Sequence, residues 1–187
     1  MRNPSELERV IVGCDPGMGV GKPVSAVAVG FWPGGKAVAL DWSTACIEKG
    51  DTFVFSLIAR WEAEVVNLVE IQQMSGHAPV YVVCERATAR GGNAWKPQAL
   101  VHHIGEVCAT RGWPFLPPIS PTRLKKAVTG GGRASAEEVA RIIRAQVING
   151  ELLPVTNGGD FEAAAGAAIA GYKELKEKQS EEQDGQR

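Results

Sequence analysis

Two aliphatic runs in this chain each end on a single acid. Val10-Ile11-Val12-Gly13-Cys14 leads into Asp15, and Val80-Tyr81-Val82-Val83-Cys84 leads into Glu85. A third acid, Asp160, opens an alanine-rich stretch from Phe161 to Tyr172, with Glu162 two residues on. Taken singly, each has a plain structural role. Asp15 suits the turn announced by Pro16-Gly17, Glu85 a charge beside Arg86, Asp160 an N-cap and Glu162 a first-turn acid favoured by the helix dipole. Taken together they suggest convergence: two strand ends and one helix start. Carboxylates brought close repel, and hard divalent cations that prefer oxygen resolve the repulsion. Two Mg²⁺ or Mn²⁺ ions about 4 Å apart support in-line displacement at phosphorus, activating water and stabilising the charge that builds there.

The elements between these acids can place them. The run into Asp15 is a buried strand. Val24 to Phe31 is a second, ended by Trp32-Pro33-Gly34-Gly35, a hairpin signal, and Lys36 to Leu40 begins a third that passes Asp41. These form an antiparallel meander. Phe53 to Met74 switches to helical period, with Phe53, Leu57, Ile58, Trp61, Val65, Leu68 and Val69 on one face. The run into Glu85 follows this helix and reads as a central strand covered on both faces. A βββαβ order, with the fourth strand following a long helix, permits parallel pairing with the first, setting Asp15 and Glu85 side by side.

Downstream, 88–96 reads as a loop carrying Arg90, Trp95 and Lys96. Gln98 to Arg111 is a helix with Leu100, Ile104 and Cys108 inward, a face that would serve equally as core or as subunit contact. Trp113 to Leu116 is a short edge strand or extended piece. Ser120 caps a helix with Pro121 at its first position, and Thr122 to Val128 carries Arg123, Lys125 and Lys126. The loop Thr129-Gly130-Gly131-Gly132-Arg133 has little side chain, so its amides can approach a phosphate. Ser135-Ala136-Glu137-Glu138 is a capping box for a helix whose Arg141 and Arg144 are more exposed. From Lys173 the chain is charged and Gln-rich, and 177–187 is expected to be a disordered tail after a single domain spanning 1–176.

Composition narrows the class. The chain has 187 residues, 44% apolar and 22% charged, with a net charge of −1. The total conceals segregation. From Glu85 to Arg144 ten basic residues face four acidic ones, a local +6 against −7 elsewhere. That is the electrostatic footprint of a polyanion-binding segment, or a solvated helix surface. Four cysteines lack CxxC spacing, and no apolar signal core or membrane-length run exists. A reduced, cytoplasmic protein without a membrane partner is expected. The stretch Pro16 to Pro23 imitates a phosphate loop but has Pro16 in place of its first glycine and Pro23 in place of its hydroxyl; Lys22 likewise breaks a dinucleotide fingerprint. No nucleotide cofactor is expected.

Gly13-Cys14-Asp15-Pro16-Gly17, Val83-Cys84-Glu85, Leu124-Lys125-Lys126-Ala127-Val128-Thr129-Gly130-Gly131-Gly132 and Asp160 with its Ala-rich helix resemble, in this order and spacing, RuvC-type Holliday-junction resolvases. The resemblance covers roughly 9–172. It implies a ribonuclease-H-like α/β fold: a mixed five-stranded sheet, an antiparallel meander of strands 1–3 followed by parallel strands, flanked by helices. It further implies a homodimer that cuts four-way DNA junctions by paired symmetric nicks with Mg²⁺ or Mn²⁺, two ions per site. Asp15, Glu85 and Asp160 match metal-ligand positions. Lys125 and Lys126 match a basic run near the junction backbone, and Arg123, Arg133, Arg90, Trp95 and Lys96 are further candidates for DNA contact. One departure stands out: the family's further acid, three residues after the third ligand, is here Ala163, so that either Glu162 substitutes as a catalytic acid, or the site works with three acids, or Ala163 is an inactivating substitution. A catalytically silent junction-binding protein and another ribonuclease-H-like nuclease are the alternatives. An actin-like sugar kinase is disfavoured, because the chain is too short for two lobes.

Overall fold

The aliphatic runs become strands buried on both faces, one in the middle of the sheet and one at its margin. In the computed structural model, which describes residues 6–16, 24–45, 54–77, 79–86, 95–156 and 159–184 (side chains of 54–57 and 95–96 excepted), β1 (Arg9–Asp15), β2 (Val24–Phe31) and β3 (Ala37–Ala45) form the expected meander. β1 and β2 are antiparallel, registered from Arg9↔Phe31 to Asp15↔Ser25. The β2–β3 turn places Gly34 and Gly35 at φ 91° and 81°, which a side chain would resist. The glycine turn 17–23 lies outside the described residues, as do Arg90, Cys46 and Phe53.

Helix α1 (Val54–Met74) then crosses to β4 (Val80–Cys84), which lies parallel to β1 with Val10↔Val80 through Cys14↔Cys84 in register. The sheet order is β3-β2-β1-β4. It has four strands, where the sequence predicts five. Segment 113–119 does run along β4, bridging Val82 to Phe115 and Glu85 to Ile119 in parallel sense. Pro114, Pro117 and Pro118 carry no N–H, however, and a regular ladder cannot form across them.

Helices cover both faces. On one, α1 and α2 (Trp95–Arg111) enclose Val12, Cys14, Trp61, Leu68, Leu100, Ile104 and Cys108. Leu100, Ile104 and Cys108 are fully buried here, so this face of α2 is core and is closed to a subunit contact. The three described cysteines are free and buried. The Cys14 thiol is raised well above its usual value by contact with Cys84 and by burial, and burial pushes Cys108 up to about 12, so these are inert core groups. Helix α2 starts at Trp95, absorbing the end of the expected loop.

On the other face α3 (Pro121–Thr129), α4 (Ala136–Gln146) and α5 (Asp160–Asp184) pack together. Leu124, nearly buried, anchors α3 against α5 at Gly166. Helix α5 presses onto β1 so closely that a Cβ on Gly13 would lie 2.0 Å from the Ala164 carbonyl oxygen. Two turns on, Tyr172 stacks on Phe31 with ring centroids 4.3 Å apart, and Lys176 reaches Glu8 at 2.6 Å. Phe31 pairs with Arg9, at the opposite end of β1 from Asp15. Helix α5 therefore runs antiparallel to β1, and its first turn lies over the end that carries Asp15. It continues to Asp184, beyond the end near Lys176 that the polar composition suggested, because Glu, Lys and Gln are good helix formers even without a buried face. Among the described residues no helix is long and apolar enough to cross a membrane.

Candidate active site at the strand ends

Pairing decides where the acids stand. The Glu85 amide donates to the Cys14 carbonyl at 2.8 Å, continuing the β1–β4 ladder by one step. Asp15 and Glu85 are thus neighbours on strands about 4.8 Å apart. Alternation sets their direction. Ile11 and Val83 belong to the α5-side core and Cys14 and Cys84 to the α1-side core, so Asp15 and Glu85 project on the α5 side. The same row continues across the sheet with Ser25, opposite Asp15, and Thr44, opposite Ser25.

Asp160 is brought to this end by α5. Its amide donates to Thr156 Oγ1 at 3.0 Å, and the Gly159 carbonyl accepts from Ala163 at 2.8 Å, so Gly159, at φ 68°, takes the cap position and Asp160 is the first helical residue. Asp160 is buried. Its place one turn before Ala164, which lies on Gly13, sets it over the β1 terminus. Among the described residues, no three His, Cys, Asp or Glu side chains stand close enough to hold one metal ion together. What is assembled is the adjacent pair Asp15 and Glu85. That pair fits Mg²⁺, which takes one or two protein carboxylates and completes its shell with water and substrate phosphate. Burial raises the Glu85 carboxyl to about 7, with Lys125 pulling the other way. Among the described residues, the counter-charge beside this half-buried acid does not offset its desolvation.

Glu162 is engaged by another helix. It is buried, its Oε1 is ion-paired with Arg144, and its Oε2 is buried with no hydrogen-bond partner among the described residues, 3.7 Å from where a Cβ on Gly159 would stand. Arg144 also donates to the Leu153 carbonyl at 2.9 Å and the Pro154 carbonyl at 3.2 Å. One guanidinium thus ties α4, the segment entering α5 and the first turn of α5. The sequence marked Arg144 only as an exposed helix charge, and nothing in its local pattern signals a partner on another helix.

The basic residues sit on α3 and the loop after it. Lys125 is half-buried beside Glu85, while Lys126 and Arg133 are exposed. Arg123 is exposed but paired with Glu174 at 2.9 Å. The glycine loop is less open to phosphate than its composition suggests. Gly130 N–H caps α3 at Lys126 O, and Gly131 N–H donates to Thr129 Oγ1 at 3.1 Å. Gly132 is a packing glycine, since a Cβ there would meet Thr122 at 2.9 Å. Trp95 and Lys96 fall at the start of α2, their side chains outside the described residues.

A meander followed by a parallel fourth strand, with helices on both faces, is a mixed α/β fold. Solved structures similar to it include Holliday-junction resolvases. RuvC of Thermus thermophilus matches at a TM-score of 0.64 and 20% identity, over 86% of this chain and 91% of that one. RuvC of T. thermophilus in complex with Holliday junction substrate matches at 0.67 and 20%, over 90% and 96%. The yeast mitochondrial Holliday junction resolvase Ydc2 matches at 0.52 and 15%, over 86% and 76%. No protein-family model and no curated sequence matches the chain.

Proposed function

We propose that this chain is a divalent-metal-dependent endonuclease that resolves four-way DNA junctions by paired symmetric nicks. The observation that carries the reading is the register that sets Glu85 beside Asp15 beneath the first turn of α5. The resolvase folds it resembles, one of them bound to a Holliday junction, support it. Asp15 and Glu85, with Asp160 drawn in, would hold Mg²⁺ or Mn²⁺. The bound ion supplies a water of lowered pKa and charge neutralisation at phosphorus. The chain's own side chains position the substrate. Lys125 beside Glu85 meets the phosphate nearest the acids, and Lys126 and Arg133 extend the basic surface along the backbone. Paired nicks need two sites related by a two-fold axis, so a homodimer belongs to this reading.

The test is a synthetic four-way junction with Mn²⁺ or Mg²⁺. Symmetric cuts that spare linear duplex are expected, and Asp15→Asn should abolish cutting while the gel shift persists. An uncut junction with either metal would refute it, as would preferential cutting of an RNA–DNA hybrid. A second reading, a junction-binding protein without turnover, is favoured by the engagement of Glu162 with Arg144, which leaves Ala163 without a substitute acid. Restored or enhanced cutting by Ala163→Asp would exclude it; binding without cutting in both forms would establish it.

A further inference from the structure

We infer that Ser25 is a positioning residue of the candidate site, its hydroxyl holding the Asp15 carboxylate in the orientation that accepts a divalent cation; this rests on the metal-site reading above. Ser25 is the one polar residue of β2, whose sequence is Val-Ser-Ala-Val-Ala-Val-Gly-Phe. It has no solvent exposure, and its Oγ has no hydrogen-bond partner among the described residues. A buried hydroxyl in that state is unfavourable, and alanine, which β2 uses at Ala26 and Ala28, would remove the penalty. Its neighbour in the row makes the contrast: Thr44 Oγ1 donates to the Val24 carbonyl at 3.0 Å.

The place of the orphan hydroxyl says what it serves. Ser25 pairs directly with Asp15, so the two side chains leave the same face of adjacent strands. Directly opposed residues put their Cβ atoms about 4.5–5.5 Å apart, within reach of a hydroxyl-to-carboxylate bond after a rotamer change. The face they share lies under the start of α5, beside Glu85. Carboxylates that bind metals are held in turn by hydrogen bonds to the oxygen that does not face the ion. Ser25 is a donor so placed: its O–H would donate to the Asp15 oxygen that a bound cation leaves free.

Calorimetric titration of the full chain with Mn²⁺, alongside metal-free melting, tests this. Ser25→Ala should melt at or above the parent temperature without metal, yet bind Mn²⁺ about 10-fold or more weakly, the usual effect of losing such a supporting bond. Unchanged Mn²⁺ affinity in Ser25→Ala would overturn the inference. So would a clear fall in its metal-free melting temperature, which would make the hydroxyl a prop of the fold. Asp15→Asn separates the two levels. If it loses Mn²⁺ while Ser25→Ala does not, only the role of Ser25 fails. If Asp15→Asn binds as the parent does, or the parent binds none, the metal site fails and the inference with it.

Discussion

The Glu85 amide bonds to the Cys14 carbonyl, so the Glu85 carboxyl leaves the sheet one strand away from Asp15 and at the same height. The same geometry half-buries Glu85, and the desolvation raises its carboxyl to about 7 from an ordinary 4.5.

Metal-free stability should therefore fall as pH rises through that interval. The folded state holds a proton on Glu85 that the unfolded state has released, so folding binds the proton and loses ground above pH 4.5, levelling off past pH 7. The loss attributable to this group is about 2–3 kcal/mol. Glu85→Gln should flatten the profile in a comparison of melting curves from pH 4.5 to 8. An unchanged slope would show that Glu85 ionises without penalty.

Gly13 and Ala164 make the closest approach between α5 and the sheet. Gly13→Ala is predicted to destabilise the fold by about 1–3 kcal/mol or more, since the obstructing atom is a backbone carbonyl that cannot rotate away. Urea denaturation measures this, and a neutral result would mean that α5 shifts freely on β1.

Arg144 and Glu162 should respond unequally to truncation. Arg144→Ala strands a buried carboxylate and is predicted to cost about 3–5 kcal/mol. Glu162→Ala leaves a half-buried guanidinium that still has the Leu153 and Pro154 carbonyls, and should cost clearly less. Equal losses in denaturation experiments would contradict this asymmetry.

Lys126 and Arg133 are exposed and should act on DNA through charge alone. Replacing either by Ala should weaken junction binding similarly for all sequences and lower the salt slope of log Kd by about 1. Arg123, held by Glu174, should change the slope less. Gel-shift titrations at several salt concentrations distinguish these outcomes.

The parts of the fold legible in the sequence are those specified by local pattern. The aliphatic runs into Asp15 and Glu85 marked buried strands, although β4 stands at the margin of the sheet and not at its centre; the Pro33-Gly34-Gly35 turn marked the hairpin, and the Ser120 and Ser135 caps marked α3 and α4 within a residue or two. What could not be read depends on distant partners. The direction of Glu162 is set by a residue of another helix, and the pairing of Ser25 with Asp15 depends on a turn whose length in space the sequence does not reveal. The fifth strand was overestimated because Phe115 and Leu116 look like a strand, while Pro114, Pro117 and Pro118 decide whether one can form. The charged end of α5 was underestimated because polarity reads as disorder even where helix propensity is high.

Those prolines have a further consequence. From Pro114 to Pro118 the outer margin of the sheet offers a single uncommitted peptide N–H, that of Phe115, since Leu116 N–H is spent on Val82. A margin so poor in donors cannot template another chain's strand. The molecule is guarded there against edge-on polymerisation.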